Sequence, residues 1–156
     1  DAQARRLAGP AGTGCFVFFT SHGHPRGGLI VRRPNGVVSP RQLDQMLEKA
    51  CADRPTVVVT SGCFSGLYTS DSSMRRPNRI LLAAARADLP SFGCGADERY
   101  TYYDQCFLES ARRGLPWTAI ATSIGACVDR TERRRGNPPS FPQSFFGSKV
   151  ATLVAF

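Results

Sequence analysis

The chain has 156 residues, enough for one domain with a real core, and its 42% hydrophobic and 21% charged shares are those of an ordinary globular protein. No apolar run approaches the roughly 20 residues of a membrane helix, so no membrane span is expected. The formal charge of +8 comes from 18 Arg and 2 Lys spread along the chain, with one dense run at 130–135; without an interleaved aromatic stripe this predicts a solvated basic face and no nucleic-acid partner.

Residues 1–14 are polar, small and Arg-containing, without a signal-peptide pattern, as the mature end of a processed protein also is. Cys15–Thr20 is a short apolar run bounded by Gly14 and by Ser21, His22 and Gly23, which predicts a buried strand ending in a loop. Residues 28–33 and 37–38 flank Pro34, Asn35 and Gly36, a hairpin-turn signal. Ser39, Pro40 and Gln42 then give an N-cap, a first-turn proline and a capping box, and Leu43, Met46, Leu47 and Ala50 follow at helical spacing. The β-branched segment 56–60 predicts a buried parallel strand running into Ser61, Gly62, Cys63, Phe64, Ser65 and Gly66. Further on, strands are predicted at 80–85 and 149–155, helices at 102–113 and 117–134, and a Pro-rich link at 136–142.

Two strands joined by a helical crossover should be parallel. The histidine loop and the cysteine loop then sit at the carboxyl ends of neighbouring strands, where open α/β sheets build their sites. Cys63 has the setting of a nucleophilic thiol: a tight turn after a buried strand, with Gly62 and Gly66 allowing close backbone approach. The chain's only histidines, His22 and His24, lie in the other loop. Rival chemistries fit less well. A cysteine phosphatase needs Arg six positions after the nucleophile, where Thr69 stands. An α/β-hydrolase elbow needs Gly at the positions of Ser61 and Ser65. A zinc site built on His22 and His24 lacks further ligands at close spacing. No metal or organic cofactor is expected.

The six cysteines contain no CxxC pair. Cys15 and Cys51 read as small core residues, and Cys94 and Cys106 as a possible bridge in a turn-rich region. The compartment stays open, with export to a periplasm or the exterior favoured over the cytoplasm.

Ser-His-Gly after one apolar strand and x-Cys-x-Ser-Gly after the next, 41 residues apart, is similar to the clan of caspases, gingipains and legumains; for caspases the interval is about 50. "FFTSHG", "GGLIVRRPNG" and "VVVTSGCFSG", followed by "LLAAARADLPSFGC" and "YTYYDQCF", resemble the legumain family most closely, from Cys15 to Phe107. The resemblance implies a caspase-like three-layer α/β/α sandwich with a mostly parallel central sheet. It implies a cysteine endopeptidase acting on peptides or proteins through a thioester, with Cys63 as nucleophile, His22 as proton-transfer partner, and the Gly23 and Cys63 N–H groups as oxyanion hole. A transpeptidase using the same dyad and a non-catalytic interaction module are the alternatives. Ser61, Ser91, Asp104 and Gln105 fall at substrate-pocket positions. Where legumains carry an acidic residue two before the cysteine, Ser61 stands, and their later pocket carboxylate aligns with Gln105, beside Asp104. The expected preference before the cut is therefore a small polar residue over Lys or Arg. The resemblance also implies that residues 1–156 form a single peptidase domain without the strand, helix and strand that precede the histidine strand in the family. That portion would be cleaved, disordered or carried on a separate piece of the protein.

Overall fold

The computed structural model describes residues 13–31 and 36–155. Its elements in chain order are β1 (Cys15–Thr20), β2 (Gly23–His24), β3 (Gly28–Val31), β4 (Gly36–Val38), α1 (Pro40–Cys51), β5 (Thr56–Ser61), α2 (Gly66–Ser70), β6 (Arg79–Ala83), α3 (Tyr102–Ser110), α4 (Trp117–Arg135) and β7 (Gln143–Phe146).

The main sheet has the order β1-β5-β6-β7. β1 runs parallel to β5 with Cys15 opposite Thr56 and Thr20 opposite Ser61, and β5 runs parallel to β6. β7 returns antiparallel along β6. Helices cover both faces, which gives the mostly parallel, three-layer α/β/α architecture of a caspase-like domain.

Side-chain alternation assigns the layers. Val57, Val59, Ile80 and Leu82 point to one face and pack with Phe107, Trp117, Ile120, Ile124 and Val128 of α3 and α4. Val58 and Leu81 point to the other and pack with Leu43, Leu47 and Ala50 of α1. Both faces of β5 and β6 are thus dry, which is why their sequences are continuous apolar runs without polar alternation. β1 is less covered: Phe16 and Phe18 lean on Phe107 and Trp117 yet stay 36% and 37% exposed.

α1 starts as its sequence dictates. The Ser39 hydroxyl accepts the Gln42 N–H, and the Gln42 side chain accepts the Ser39 N–H. β2, β3 and β4 form a small antiparallel sheet, with Val31 opposite Gly36; Pro34 and Asn35, expected to turn this hairpin, lie outside the described residues.

Four sequence expectations are corrected. The terminal strand expected at 149–155 is a turn that joins neither sheet: Val154 forms an isolated bridge to Pro116, just before α4, and Val150 and Ala155 pack into the core, while the antiparallel strand is β7, which follows the Pro-rich link. α3 stops at Ser110, three residues before its expected end, because the backbone turns extended at Ala111. Cys15 and Cys51 are buried, but they are bonded to each other, tying the start of β1 to the end of α1. Cys106 pairs with Cys127, tying α3 to α4, which leaves Cys94 as a free, exposed thiol. No helix among the described residues is long and apolar enough to cross a membrane.

Candidate active site

The parallel pairing of β1 and β5 carries both loops to one end of the sheet. The ladder continues one step beyond the strand, with the Ser21 N–H donating to the Ser61 carbonyl at 3.0 Å. From there the two chains touch. A Cβ built on Gly23 would lie 1.7 Å from the Cys63 carbonyl oxygen and 2.6 Å from its carbon, so no side chain fits at position 23. Glycine is required there because another backbone occupies the space.

After Cys63 the chain turns sharply. Phe64 has φ of 61°, in the left-handed region that bulky residues avoid, a conformation that costs on the order of 1 kcal/mol. Its N–H donates to the Leu89 carbonyl at 2.8 Å, and Gly66 donates to Ala85 at 2.8 Å, so the loop after β6 holds the turn in place. Ser65, fully buried, accepts the Ala85 N–H at 3.3 Å on its hydroxyl.

Cys63 is half-buried and in no disulfide. Its sulfur is surrounded by Ser91: the Ser91 N–H donates to Sγ at 3.4 Å, the hydroxyl approaches at 3.9 Å, and the thiol faces the Ser91 carbonyl at 3.6 Å. The His22 side chain is exposed and makes no hydrogen bond to Sγ; what the fold brings together is the backbone of its loop and that of Cys63. Such contacts in ligand-free enzymes commonly tighten only around substrate. His24 is engaged elsewhere, its Nδ1 accepting the Arg26 N–H at 3.2 Å within the β2–β3 turn.

The other sequence-chosen residues divide. Ser61, 1% exposed, reaches the Thr101 hydroxyl at 3.5 Å. Thr101 caps α3 by accepting the Asp104 N–H at 3.0 Å, and the Asp104 carboxylate accepts the Thr20 hydroxyl at 3.3 Å on Oδ2. Thr20, Ser61, Thr101 and Asp104 therefore form one polar patch at the ends of β1 and β5. Within it Asp104 Oδ1 is buried and has no hydrogen-bond partner among the described residues. Gln105 is not part of the patch: it is exposed and donates to Glu109 one turn along α3. Ser91 contacts the sulfur itself. Thr20 and Thr101 were not singled out in the sequence, although Thr-x-x-Asp at 101–104 is a helix-cap spacing that marks where α3 begins. The free thiol of Cys94 feels the same neighbourhood: although the residue is exposed, partial desolvation of its sulfur pushes its pKa up, and the nearby Cys63 and Asp104 push it further in that direction.

The peptidase C13 family profile matches residues 10–115. The chain belongs to the peptidase C13 family, that of the legumains. The match spans both loops, the hairpin and helix between them, and the segment through α3. A comparison with curated proteins finds no match. Membership makes this a cysteine-peptidase-type protein whose class of substrate is peptide or protein.

Proposed function

We propose that the chain is a cysteine endopeptidase that cuts peptide bonds through a Cys63–His22 dyad. The observation that carries this reading is the contact of Gly23 with the Cys63 backbone at the carboxyl ends of two neighbouring parallel strands. Of the two free cysteines among the described residues, Cys63 is the one that follows a strand at that end.

In the proposed reaction, the Cys63 sulfur attacks the peptide carbonyl and the carbon–nitrogen bond breaks. The amine leaves with a proton managed by His22, and a thioester remains on Cys63. Water then attacks the thioester, releasing the acid and restoring the thiol. The Gly23 and Cys63 N–H groups are assigned to the developing oxyanion. Asp104, with Ser61 and Ser91 beside it, is assigned to the pocket for the residue before the cut. Asp104 replaces Gln105 as the pocket carboxylate position, because its side chain turns to the strand ends and that of Gln105 turns away.

Two disulfides among the described residues fit an oxidising compartment, since such bonds are rare where glutathione and thioredoxin keep thiols reduced. The incompletely covered β1, with Phe16 and Phe18 half-exposed, is the place where this reading puts a further strand, from an N-terminal segment of the protein carried as a separate piece.

The test is digestion of a peptide library by the parent and by Cys63→Ala. The variant is expected to fold with the parent's circular dichroism and to release no products above background. Products at the parent's rate would remove Cys63 from the mechanism, and no products from either protein would favour a binding module.

A further inference from the structure

Tyr68 belongs to no part of the proposed chemistry, yet its side chain joins the cysteine side of the site to the histidine side. It lies in α2, five residues after Cys63, and is 1% exposed. Its hydroxyl accepts the Leu29 N–H at 2.8 Å and donates to the Val38 carbonyl. Leu29 and Val38 are opposite one another in the β3–β4 ladder. A side-chain hydroxyl from the cysteine-loop helix thus stands between the donor and acceptor of a backbone pair in the histidine-side hairpin.

The consequence reaches His22 in two steps. Leu29 is also opposite Gly23 across β2–β3. Its neighbour Ile30 donates its N–H to the His22 carbonyl at 2.7 Å and accepts the Ser21 hydroxyl at 2.6 Å. The His22 carbonyl and the Ser21 side chain before it are therefore both held by Ile30, which directly follows the residue that Tyr68 grips. At the other end, Ser65 and Gly66 bind the start of α2 to Ala85, in the same loop that holds the cysteine turn through Phe64 and Leu89. The hydroxyl's seat is tight: at Gly28, with φ of 123°, a Cβ would lie 2.6 Å from it. Burial raises the phenol's pKa, against a smaller opposing effect of the Leu29 N–H, so the group keeps the proton it donates to Val38.

We propose that Tyr68 is a positioning residue of the active site: its hydroxyl clamps the β2–β4 sheet to α2 and thereby sets where His22 stands relative to Cys63. It touches neither substrate nor sulfur, so it is not a catalytic residue. The proposal rests on the Cys63–His22 reading, and its test separates the two.

Tyr68→Phe keeps the ring and removes only the hydroxyl. Three readouts are compared with the parent: kcat and KM on the best library peptide, the pH profile of Cys63 alkylation by iodoacetamide mapped by mass spectrometry so that Cys94 is resolved, and hydrogen exchange at the Leu29 and Ile30 amides. kcat is expected to fall at least tenfold with KM within about twofold. The alkylation profile is expected to move toward that of His22→Ala, and the two amides to exchange at least tenfold faster. Asp44→Asn, at the opposite end of the sheet, is the control for lost stability; it should lower Tm without moving the profile or the two amides. A Tyr68→Phe protein that matches the control on these readouts overturns the proposal. If His22→Ala leaves the parent's alkylation profile unchanged, the dyad reading falls, and the exchange rates alone then decide the clamp. Should Tyr68→Phe not fold, exchange in the parent decides: a Leu29 amide exchanging as fast as an exposed turn amide overturns the proposal, and a protected one supports it.

Discussion

Of the two histidines, two residues apart, only His22 lies where its backbone is tied to Ile30 and its following glycine is pressed on Cys63. His24 spends Nδ1 on the turn that it helps to close. His22→Ala is accordingly expected to lower kcat/KM by roughly 10²–10⁴-fold, the usual worth of a positioned acid–base group, and His24→Ala by far less. Steady-state kinetics on both variants check this, and equal losses would transfer the role or divide it. The same geometry separates Asp104 from Gln105. Asp104 has one carboxylate oxygen on Thr20 and the other buried without a partner among the described residues, an arrangement that invites a donor from outside the chain. Asp104→Asn should change which residue is preferred before the cut, read by mass spectrometry of library digests, while Gln105→Ala should leave the profile as it is. An unaltered profile for Asp104→Asn would take Asp104 out of the pocket.

At the scale of elements, the ends of the sheet do different work. The end away from the site carries a buried ion-pair cluster. Arg79, at the start of β6 and 1% exposed, donates to Asp44 at 2.8 Å and to Glu48 at 2.9 Å, both on α1. Arg76 adds two bonds of 2.9 Å to Asp44. Burial would raise the Asp44 pKa, but the hydrogen bonds and charges of Arg76 and Arg79 together outweigh it and hold it below its ordinary 3.8. The stabilisation is therefore complete above that value and is lost as the pH falls through the lower folded-state value. Asp44→Ala leaves Arg79 buried with the half-exposed Glu48 as its remaining carboxylate beside the Met74 carbonyl, and should cost about 3 kcal/mol at neutral pH, with the gap to the parent narrowing below about pH 4; urea melts across that range measure both. None of this cluster was legible in the sequence, because the acids on α1 lie 28 to 35 residues from the arginines that they bind and each reads alone as a solvated charge. What was legible had local causes. The capping box fixed the start of α1, and the dry runs of β5 and β6 marked a central parallel pair. The loops at the ends of β1 and β5 were legible because the only histidines and the glycine-flanked cysteine fell on equivalent strand ends. β7 was missed because it is a half-buried strand of four residues, Gln-Ser-Phe-Phe, behind a proline, whereas the apolar tail at 149–155 has strand-like composition and no strand to pair with. The disulfide partners were hidden for the same reason as the ion pairs: composition showed Cys15 and Cys51 to be buried, and only the β1–α1 packing shows that they meet.

Across the whole molecule, the two disulfides sit on opposite faces of the sheet and should have separable effects. Each closes a loop, with sequence separations of 36 and 21 residues, and loss of either is expected to cost about 2–4 kcal/mol. Their neighbourhoods differ. Cys106–Cys127 joins two helices that already share the large core around Trp117 and Ile120, so its loss lowers the global melt without loosening one element more than another. Cys15–Cys51 anchors the first residue of β1, and β1 is otherwise held by β5 alone among the sheet strands described, with Phe16 and Phe18 only partly covered. β1 leads directly into the histidine loop. Elements with few buried contacts open before the rest of a protein does, so removing this bond should release the His22 loop locally, well below the temperature of global unfolding. The expected outcome is that Cys106→Ala/Cys127→Ala keeps near-parental kcat/KM at 25 °C despite a lower Tm. Cys15→Ala/Cys51→Ala, with a similar Tm, should lose most of its activity and show fast hydrogen exchange confined to β1 and the β2–β4 sheet. Activity and exchange measured on the two double variants at the same margin below their melts decide it. Equal activity in the two, or exchange spread evenly over the sheet, would mean that β5 alone holds β1 in place.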